Sequence, residues 1–228
     1  MPERVYVLID CNNFFVSCER LFRPWLNKKP VVVLSSNDGC IVARSNEAKQ
    51  LGVPMGEAAF KLRQLFQEHG IVQFSGSFEL YGDISRRITA LLATITPRIE
   101  IYSVDESFLD ITELPITDYA EWGRIVQAMI YRNIGVPVSI GVGRTKTLAK
   151  LASEIAKQHE EYGGAFSFVG LDPAEKEKIM SRIPVQEIWG VGRKLSPRLR
   201  AEGIGTAWAL CRMRPQRAQQ LLGIHGRQ

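Results

Sequence analysis

Two hydrophobic periods alternate along this sequence in an order that few folds accept. Val5-Tyr6-Val7-Leu8-Ile9 is a β-branched apolar run that stops at Asp10, and residues 12 to 21 then repeat their apolar positions at helical spacing. Residues 98 to 104 and 107 to 111 read as two short strands meeting at Asp105-Glu106. Ile99, Ile101 and Ser103 alternate there with Glu100 and Tyr102, a period of 2 that excludes a helix. Residues 118 to 132 follow as an amphipathic helix and 136 to 142 as a buried strand. The order is βαββαβ, the split pattern of an α+β, ferredoxin-like domain. Residues 30 to 95 are inserted after its first helix. They hold a strand at 30 to 34, a turn at 35 to 39, a short strand at 40 to 43, a short helix at 46 to 51 closed by Gly52, and a longer helix at 77 to 95.

A further helix is predicted at 146 to 157, with Leu148, Leu151, Ala152 and Ile155 on one face. After Gly163-Gly164 and a strand at 165 to 168, short basic helices begin at Pro173, which places a domain boundary between 164 and 172. The 228 residues are 45% hydrophobic and 23% charged, enough for one sizeable core and a second module. Net charge is +5, and its placement says more than its size. From residue 182 onward nine Lys/Arg stand against only Glu187 and Glu202, which suits a module that tracks phosphates as well as a solvated helical face.

Several classes are excluded. The apolar runs are strand-sized, far short of the roughly 20 residues that cross a bilayer. Met1-Pro2-Glu3-Arg4 runs straight into a strand without an export signal. Cys11, Cys18, Cys40 and Cys211 lack CxxC spacing, and His69, His159 and His225 are isolated, so the expectation is a reduced, cytoplasmic, zinc-free protein with no membrane partner. Gly-Val-Gly-Arg occurs at 141 to 144 and at 190 to 193, but neither copy has the third glycine of a dinucleotide fingerprint or the lysine of a phosphate-binding loop.

What remains is a carboxylate constellation. In a ferredoxin-like sheet the strand ending at Asp10 lies beside the hairpin carrying Asp105 and Glu106, so three carboxylates converge at one edge. Left unpaired they would repel, and an oxygen-only set suits Mg²⁺, two ions of which serve in-line nucleotidyl transfer. Taken singly, each has a plainer reading as a helix cap or a turn residue. Phe14 and Phe15 follow by about one turn, and adjacent helical residues do not share a face, so one ring is expected over the same surface. Arg44, Lys49 and Lys157 offer positive charge, although for Lys157 the helix dipole is a sufficient reason. In the basic module, a helix ending at Trp189, the turn Gly190-Val191-Gly192 and a second helix read as a helix-hairpin-helix over 184 to 205. Its glycines, with Arg193 and Lys194, suit DNA-backbone contact.

These residues together resemble the Y-family of translesion DNA polymerases. The motifs are Ile9-Asp10-Cys11-Asn12-Asn13-Phe14-Phe15, Ser36-Asn37-Asp38-Gly39-Cys40-Ile41-Val42-Ala43-Arg44, Glu79-Leu80-Tyr81, Tyr102-Ser103-Val104-Asp105-Glu106-Ser107, Lys146-Thr147-Leu148-Ala149-Lys150 and Trp189-Gly190-Val191-Gly192-Arg193. Within the family the Asn-Asp-Gly-Cys turn is similar to the branch of UmuC, the catalytic subunit of polymerase V. The resemblance implies a catalytic palm at 1–29 and 75–164, small fingers at 30–74 and a thumb at 165–228. It implies Asp10, Asp105 and Glu106 as catalytic metal ligands, helped by the Cys11 carbonyl, with two Mg²⁺. Phe15 falls on the gate against a ribose 2′-OH, Phe14 on the nucleotide pocket, and Lys157 on the incoming triphosphate. Asn46 and Lys49 stand where a Tyr and an Arg are usual in the DinB branch.

The implied activity is template-directed, error-prone DNA synthesis in DNA repair and the SOS response, with primer-template DNA and dNTPs as substrates. The implied partners are a UmuD-type subunit, a RecA filament and a sliding clamp. The family carries a further little-finger domain, absent from these 228 residues, so an N-terminal fragment is expected. A nucleotide cyclase on the same kind of palm, and a non-catalytic DNA-binding or partner-docking fragment, are the rival readings.

Overall fold

The computed structural model describes residues 3 to 222. Residues 223–228 of the expected thumb, with His225 and Arg227, lie outside the described residues, as do residues 1–2. β1 (Tyr6–Cys11) carries the first apolar run into the core, and Asn13, at φ 48°, turns the chain into α1 (Phe14–Phe22). β2 (Val31–Leu34) and β3 (Ile41–Arg44) form an antiparallel pair. The Ser45 hydroxyl caps α2 (Asn46–Gln50) by accepting from the Ala48 amide at 3.2 Å. α3 (Arg63–His69) leads to β4 (Val72–Ser75), which joins β2 in parallel and completes a three-stranded sheet of order β3-β2-β4.

The chain then returns through α4 (Phe78–Ala93), β5 (Ile99–Ile101) and β6 (Glu106–Asp110). Asp118 caps α5 (Tyr119–Ile134), which precedes β7 (Val138–Gly143), and Thr145 caps α6 (Lys146–Gln158). β8 (Ala165–Ser167) closes the larger sheet, of order β5-β6-β1-β7-β8. Its first four strands are antiparallel neighbours in the ferredoxin-like arrangement, and β8 adds to β7 in parallel. The α+β, ferredoxin-like reading therefore holds.

Pleating sorts the side chains. Val7, Ile9, Leu109, Ile140 and Val142 share a core with Ile84 and Ile88 of α4 and with Val126 and Ile130 of α5. Leu8 and Phe108 face the other way, onto Ala149 of α6. The helices thus cover both faces, and α6 lies on the face that also carries Asp10 and Glu106. The C-terminal part consists of α7 (Pro173–Met180), α8 (Leu195–Ala201), α9 (Ala207–Cys211) and α10 (Pro215–Leu222), with a small core of its own at Val185, Val191 and Leu199. No helix among the described residues is long and apolar enough to cross a membrane.

Three features of this structure were not expected. Glu106 is not at the hairpin turn: it opens β6, because Tyr102 and Ser103 both donate to its carbonyl and end β5 early. The helix expected to end at Trp189 is only a 3₁₀ turn at Val185–Glu187, so the first arm of the helix-hairpin-helix is missing. Pro184 bridges to Thr206 and the Val185 amide donates to the Gly205 carbonyl at 3.0 Å, which takes the backbone away from a helix. The third difference is α3 and β4, where the sequence carried no reading.

Candidate functional site

Register decides what meets at the sheet edge. β1 and β6 run antiparallel with Asp10 directly opposite Glu106, so both side chains rise on the α6 face. Asp105, one residue before, is held to the end of β1 by the Cys11 amide, which donates to its carbonyl at 2.9 Å. Ser103 organises the turn. Its hydroxyl donates to Asp105 Oδ1 at 2.6 Å and accepts from the Glu106 amide at 3.0 Å.

Two of the three carboxylates meet a lysine, while Asp105 accepts from the Ser103 hydroxyl. Lys157 Nζ donates to Asp10 Oδ2 at 2.9 Å, and Lys150 pairs with Glu106. The two lysines are seven residues apart on α6, two turns along one stripe, which is why one helix serves both acids. Lys150 and Ser103 were absent from the expected site, although the lysine spacing was visible. Burial nevertheless pushes the Asp10 carboxyl up to about 6: it outweighs the attraction of Lys157, and the neighbouring charges of Glu106 and Asp105 push the same way. For Lys157 burial works against the charge, but Asp10 prevails and its pKa is raised.

These groups border a cleft of about 390 Å³ whose lining includes Asp10, Cys11, Phe14, Phe15, Arg44, Lys49, Asp105, Glu106 and Lys157. Of the expected nucleotide-site residues only Asn46 is missing from that lining. It joins through Asn13, whose Nδ2 donates to Asn46 Oδ1 at 3.0 Å while Lys49 Nζ donates to Asn13 Oδ1 at 2.6 Å. Burial lowers the Lys49 pKa, and the like charges of Arg44 and Lys157 add to it.

Both rings border the cleft; Phe14 is buried, and the half-buried Phe15 ring stacks on Tyr81 with centroids 4.4 Å apart. Tyr81 is fully buried and its hydroxyl donates to Glu19 Oε1 at 2.8 Å; Arg23 donates to the other oxygen at 2.6 Å. The ring facing the cleft is therefore backed by a satisfied buried network that the sequence did not reveal.

Among the described residues no three His, Cys, Asp or Glu side chains close on one point. The donor chemistry still fits a hard divalent cation. The acids at the edge offer oxygen alone, and burial pushes the Cys11 thiol well above its usual range, leaving its carbonyl as the available donor. Two lysine ammonium groups already occupy the cationic positions on Asp10 and Glu106.

Gly190, Gly192, Arg193 and Lys194 are not among the residues that line this cleft. Gly190 takes φ 91°, which favours glycine, and Arg193 and Lys194 are exposed beyond it with no ion-pair partner among the described residues.

The family model described as the impB/mucB/samB family matches residues 9–154, from the strand carrying Asp10 past Lys150 on α6. The chain belongs to this family. The impB/mucB/samB assignment is supported by relatives: it is 43% identical over 205 residues to Protein UmuC of Salmonella typhimurium, covering 89% of this chain and 48% of that protein. Protein SamB of the same organism is 41% identical over 92% of this chain and 50% of its own length. DNA polymerase IV of Corynebacterium diphtheriae is more distant, at 32% over 97% of this chain and 48% of its own. The chain spans about half the length of the curated relatives it matches. Among solved structures, an insertion ternary complex of Dbh DNA polymerase superposes with a TM-score of 0.80 at 25% identity, covering 96% of this chain and 63% of that one. DinB from Sulfolobus solfataricus gives 0.78 at 24% identity, over 97% and 64%. Lys157 and the glycine turn lie beyond the segment that the family model matches.

Proposed function

We propose that this chain carries the catalytic portion of an error-prone, translesion DNA polymerase acting in DNA repair. The single observation behind this is the juxtaposition of Asp10, Asp105 and Glu106 at one strand edge, facing a cleft with an aromatic floor at Phe15 and three cations at Arg44, Lys49 and Lys157. In the reaction the primer 3′-OH attacks the α-phosphate of a dNTP, one P–O bond forms as another breaks, and pyrophosphate leaves. The three carboxylates and the Cys11 carbonyl would hold divalent metal, in this reading two Mg²⁺. Bound there, the metal would lower the pKa of the attacking hydroxyl and offset charge at the phosphorus.

The chain's own residues do the rest. Burial and the like charges of Arg44 and Lys157 hold the Lys49 pKa down, and a triphosphate bound beside them would relieve that repulsion. Residues 1–29 and 75–164 serve as the palm, 30–74 as fingers and 165–228 as thumb. The UmuD-type subunit, RecA filament and sliding clamp belong to the same reading of the whole protein. A primer-extension assay with Mg²⁺ and the four dNTPs tests it. Activity with NTP alone would point to a cyclase, and duplex binding without extension to a non-catalytic role.

Phe15→Ala is expected to reduce the preference for dNTP over rNTP by about 10- to 100-fold, because only the bulk of the ring, braced by Tyr81, separates the two sugars. Single-nucleotide insertion with paired dNTP and rNTP measures this, and an unchanged ratio places the gate elsewhere. Reversing Arg193 and Lys194 to Glu should weaken DNA binding about equally for unrelated sequences. Each lost phosphate contact should take about one unit from the slope of log affinity against log salt. Titrations of labelled duplexes at several salt concentrations check this; a loss confined to one sequence contradicts a backbone contact.

A further inference from the structure

Trp189 lies some 80 residues of chain away from the hairpin that holds Asp105, yet its indole is seated on that hairpin's strands. It stacks on Phe108 of β6 with ring centroids 6.1 Å apart and planes at 28°, and meets Tyr102 edge-on at 5.4 Å and 83°. Tyr102 meets Phe108 edge-on at 5.8 Å, so the three rings close a triangle. Two cations sit over it: Lys146 Nζ is 5.5 Å from the Phe108 ring, and Lys150 Nζ is 5.2 Å from the Tyr102 ring. Lys150 is the same ammonium that pairs with Glu106. A small cleft of about 160 Å³ beside the triangle is lined by Trp189, Lys150 and Asp10 together.

The C-terminal part has few other ties to this hairpin. Its other apolar contacts run to α6 and β8, through Met180, Ile183, Ile188, Ala207 and Trp208 among others, and no hydrogen bond or ion pair among the described residues joins 185–222 to 99–110. Gly190, at φ 91°, bends the chain away immediately after the indole is seated, and Arg193 and Lys194 follow within five residues. Whatever those two side chains grip is therefore tied directly to the Asp105-Glu106 hairpin through one aromatic ring, beside the apolar packing on α6.

We propose that Trp189 is a positioning residue: it sets the basic C-terminal segment in register with the catalytic hairpin and, through Tyr102, steadies Lys150 on Glu106. The inference rests on the polymerase reading above. It concerns placement and not grip, so loss of the ring should misplace the primer end while DNA stays bound. Displacement of reacting atoms by about 1 Å can cost about 100-fold in rate.

Trp189→Ala is expected to slow single-turnover nucleotide addition at saturating dNTP by at least about tenfold, with affinity for primer-template DNA within about twofold of the parent. Trp189→Phe keeps a ring that can stack on Phe108 and should recover the rate to within about threefold. A second readout does not depend on catalysis. Amide hydrogen exchange at residues 102 to 106 should quicken in Trp189→Ala and not in Trp189→Phe. From the other side, Tyr102→Leu should quicken exchange at Val191, whose amide bonds the Ile188 carbonyl at 2.9 Å. If the parent protein extends no primer, the polymerase reading fails, and exchange at the hairpin still decides whether Trp189 steadies it. Parent-like addition together with unchanged exchange in Trp189→Ala, or a rate loss matched by an equal loss of DNA affinity, overturns the proposal.

Discussion

Replacing Asp105 with alanine is expected to bring nucleotide addition below about one thousandth of the parent rate, a loss of about 4 kcal/mol or more in transition-state stabilisation, while fold and duplex binding persist. The structure separates these outcomes. Fold depends on the Asp105 carbonyl, which accepts from the Cys11 amide at 2.9 Å and survives the substitution. The side chain makes one hydrogen bond, to Ser103, and otherwise faces the cleft. Removing it also removes one of the charges that push the Asp10 carboxyl up to about 6. The apparent melting temperature should then stay level or rise. Added Mg²⁺ should raise it less than in the parent, because binding to the folded state stabilises by mass action. Single-turnover extension and melting curves with and without Mg²⁺ measure both effects. Equal turnover by parent and variant, where the parent is clearly active, would sink the metal-ligand assignment.

How far this site could be read in advance follows from what each residue depends on. Asp10 and the Asp105-Glu106 hairpin were legible because they rest on local patterns, a strand that turns polar and a run of period 2 at 99 to 103, and on a topology that makes their strands neighbours. That one of Phe14 and Phe15 would face the site was legible for a similar reason, since adjacent helical residues do not share a face, but only the family resemblance pointed to Phe15. Lys150 stands in a motif that by itself assigns it no role, and for Lys157 the helix dipole is a sufficient explanation. Their partnership with Glu106 and Asp10 needs the pose of α6 on the sheet, which no window of sequence contains. Tyr81 is another such case: apolar spacing put it in a helix, but its stacking on Phe15 and its bond to Glu19, 62 positions away, are tertiary.

The misread segments fail for more local reasons. β4 is four residues with alternate positions exposed, too short to establish a period, and it pairs only because β2 lies beside it. The segment before Trp189 had the composition of a helix, but Pro184 and the Val185 bond to Gly205 committed its backbone to a bridge. Gly141 and Gly143 belong to no nucleotide fingerprint. They hold a different role, one that only close packing exposes.

Gly141→Ala is expected to cost about 4 kcal/mol or more, a large share of the roughly 5–15 kcal/mol that holds a domain folded. Gly141 sits in β7 between Leu8 of β1 and Phe166 of β8, so the strand cannot shift sideways without breaking two ladders. A Cβ added there would collide with the Ser153 amide and the Ala149 carbonyl of α6 and lie 2.7 Å from the Ala152 carbonyl carbon. All three are backbone atoms in the middle of a helix, and no flexible side chain is present to yield. At Gly143 the same intrusion meets Leu148 Cβ at 2.6 Å. Ordinary overpacking costs about 1–3 kcal/mol because neighbours relax; here the only relaxation open to the protein is to lift α6 off the sheet. That movement would carry Lys150 and Lys157 away from Glu106 and Asp10, so any folded remainder should also lose the ordered carboxylate edge. Gly205→Ala is the control, since its added Cβ has nothing within 4 Å, and it should stay within about 0.5 kcal/mol of the parent. Urea midpoints for both variants decide the matter: a Gly141→Ala protein within 1 kcal/mol of the parent would mean that the helix does not rest on the strand backbone, and the geometry that brings both lysines to the acids would lose its support.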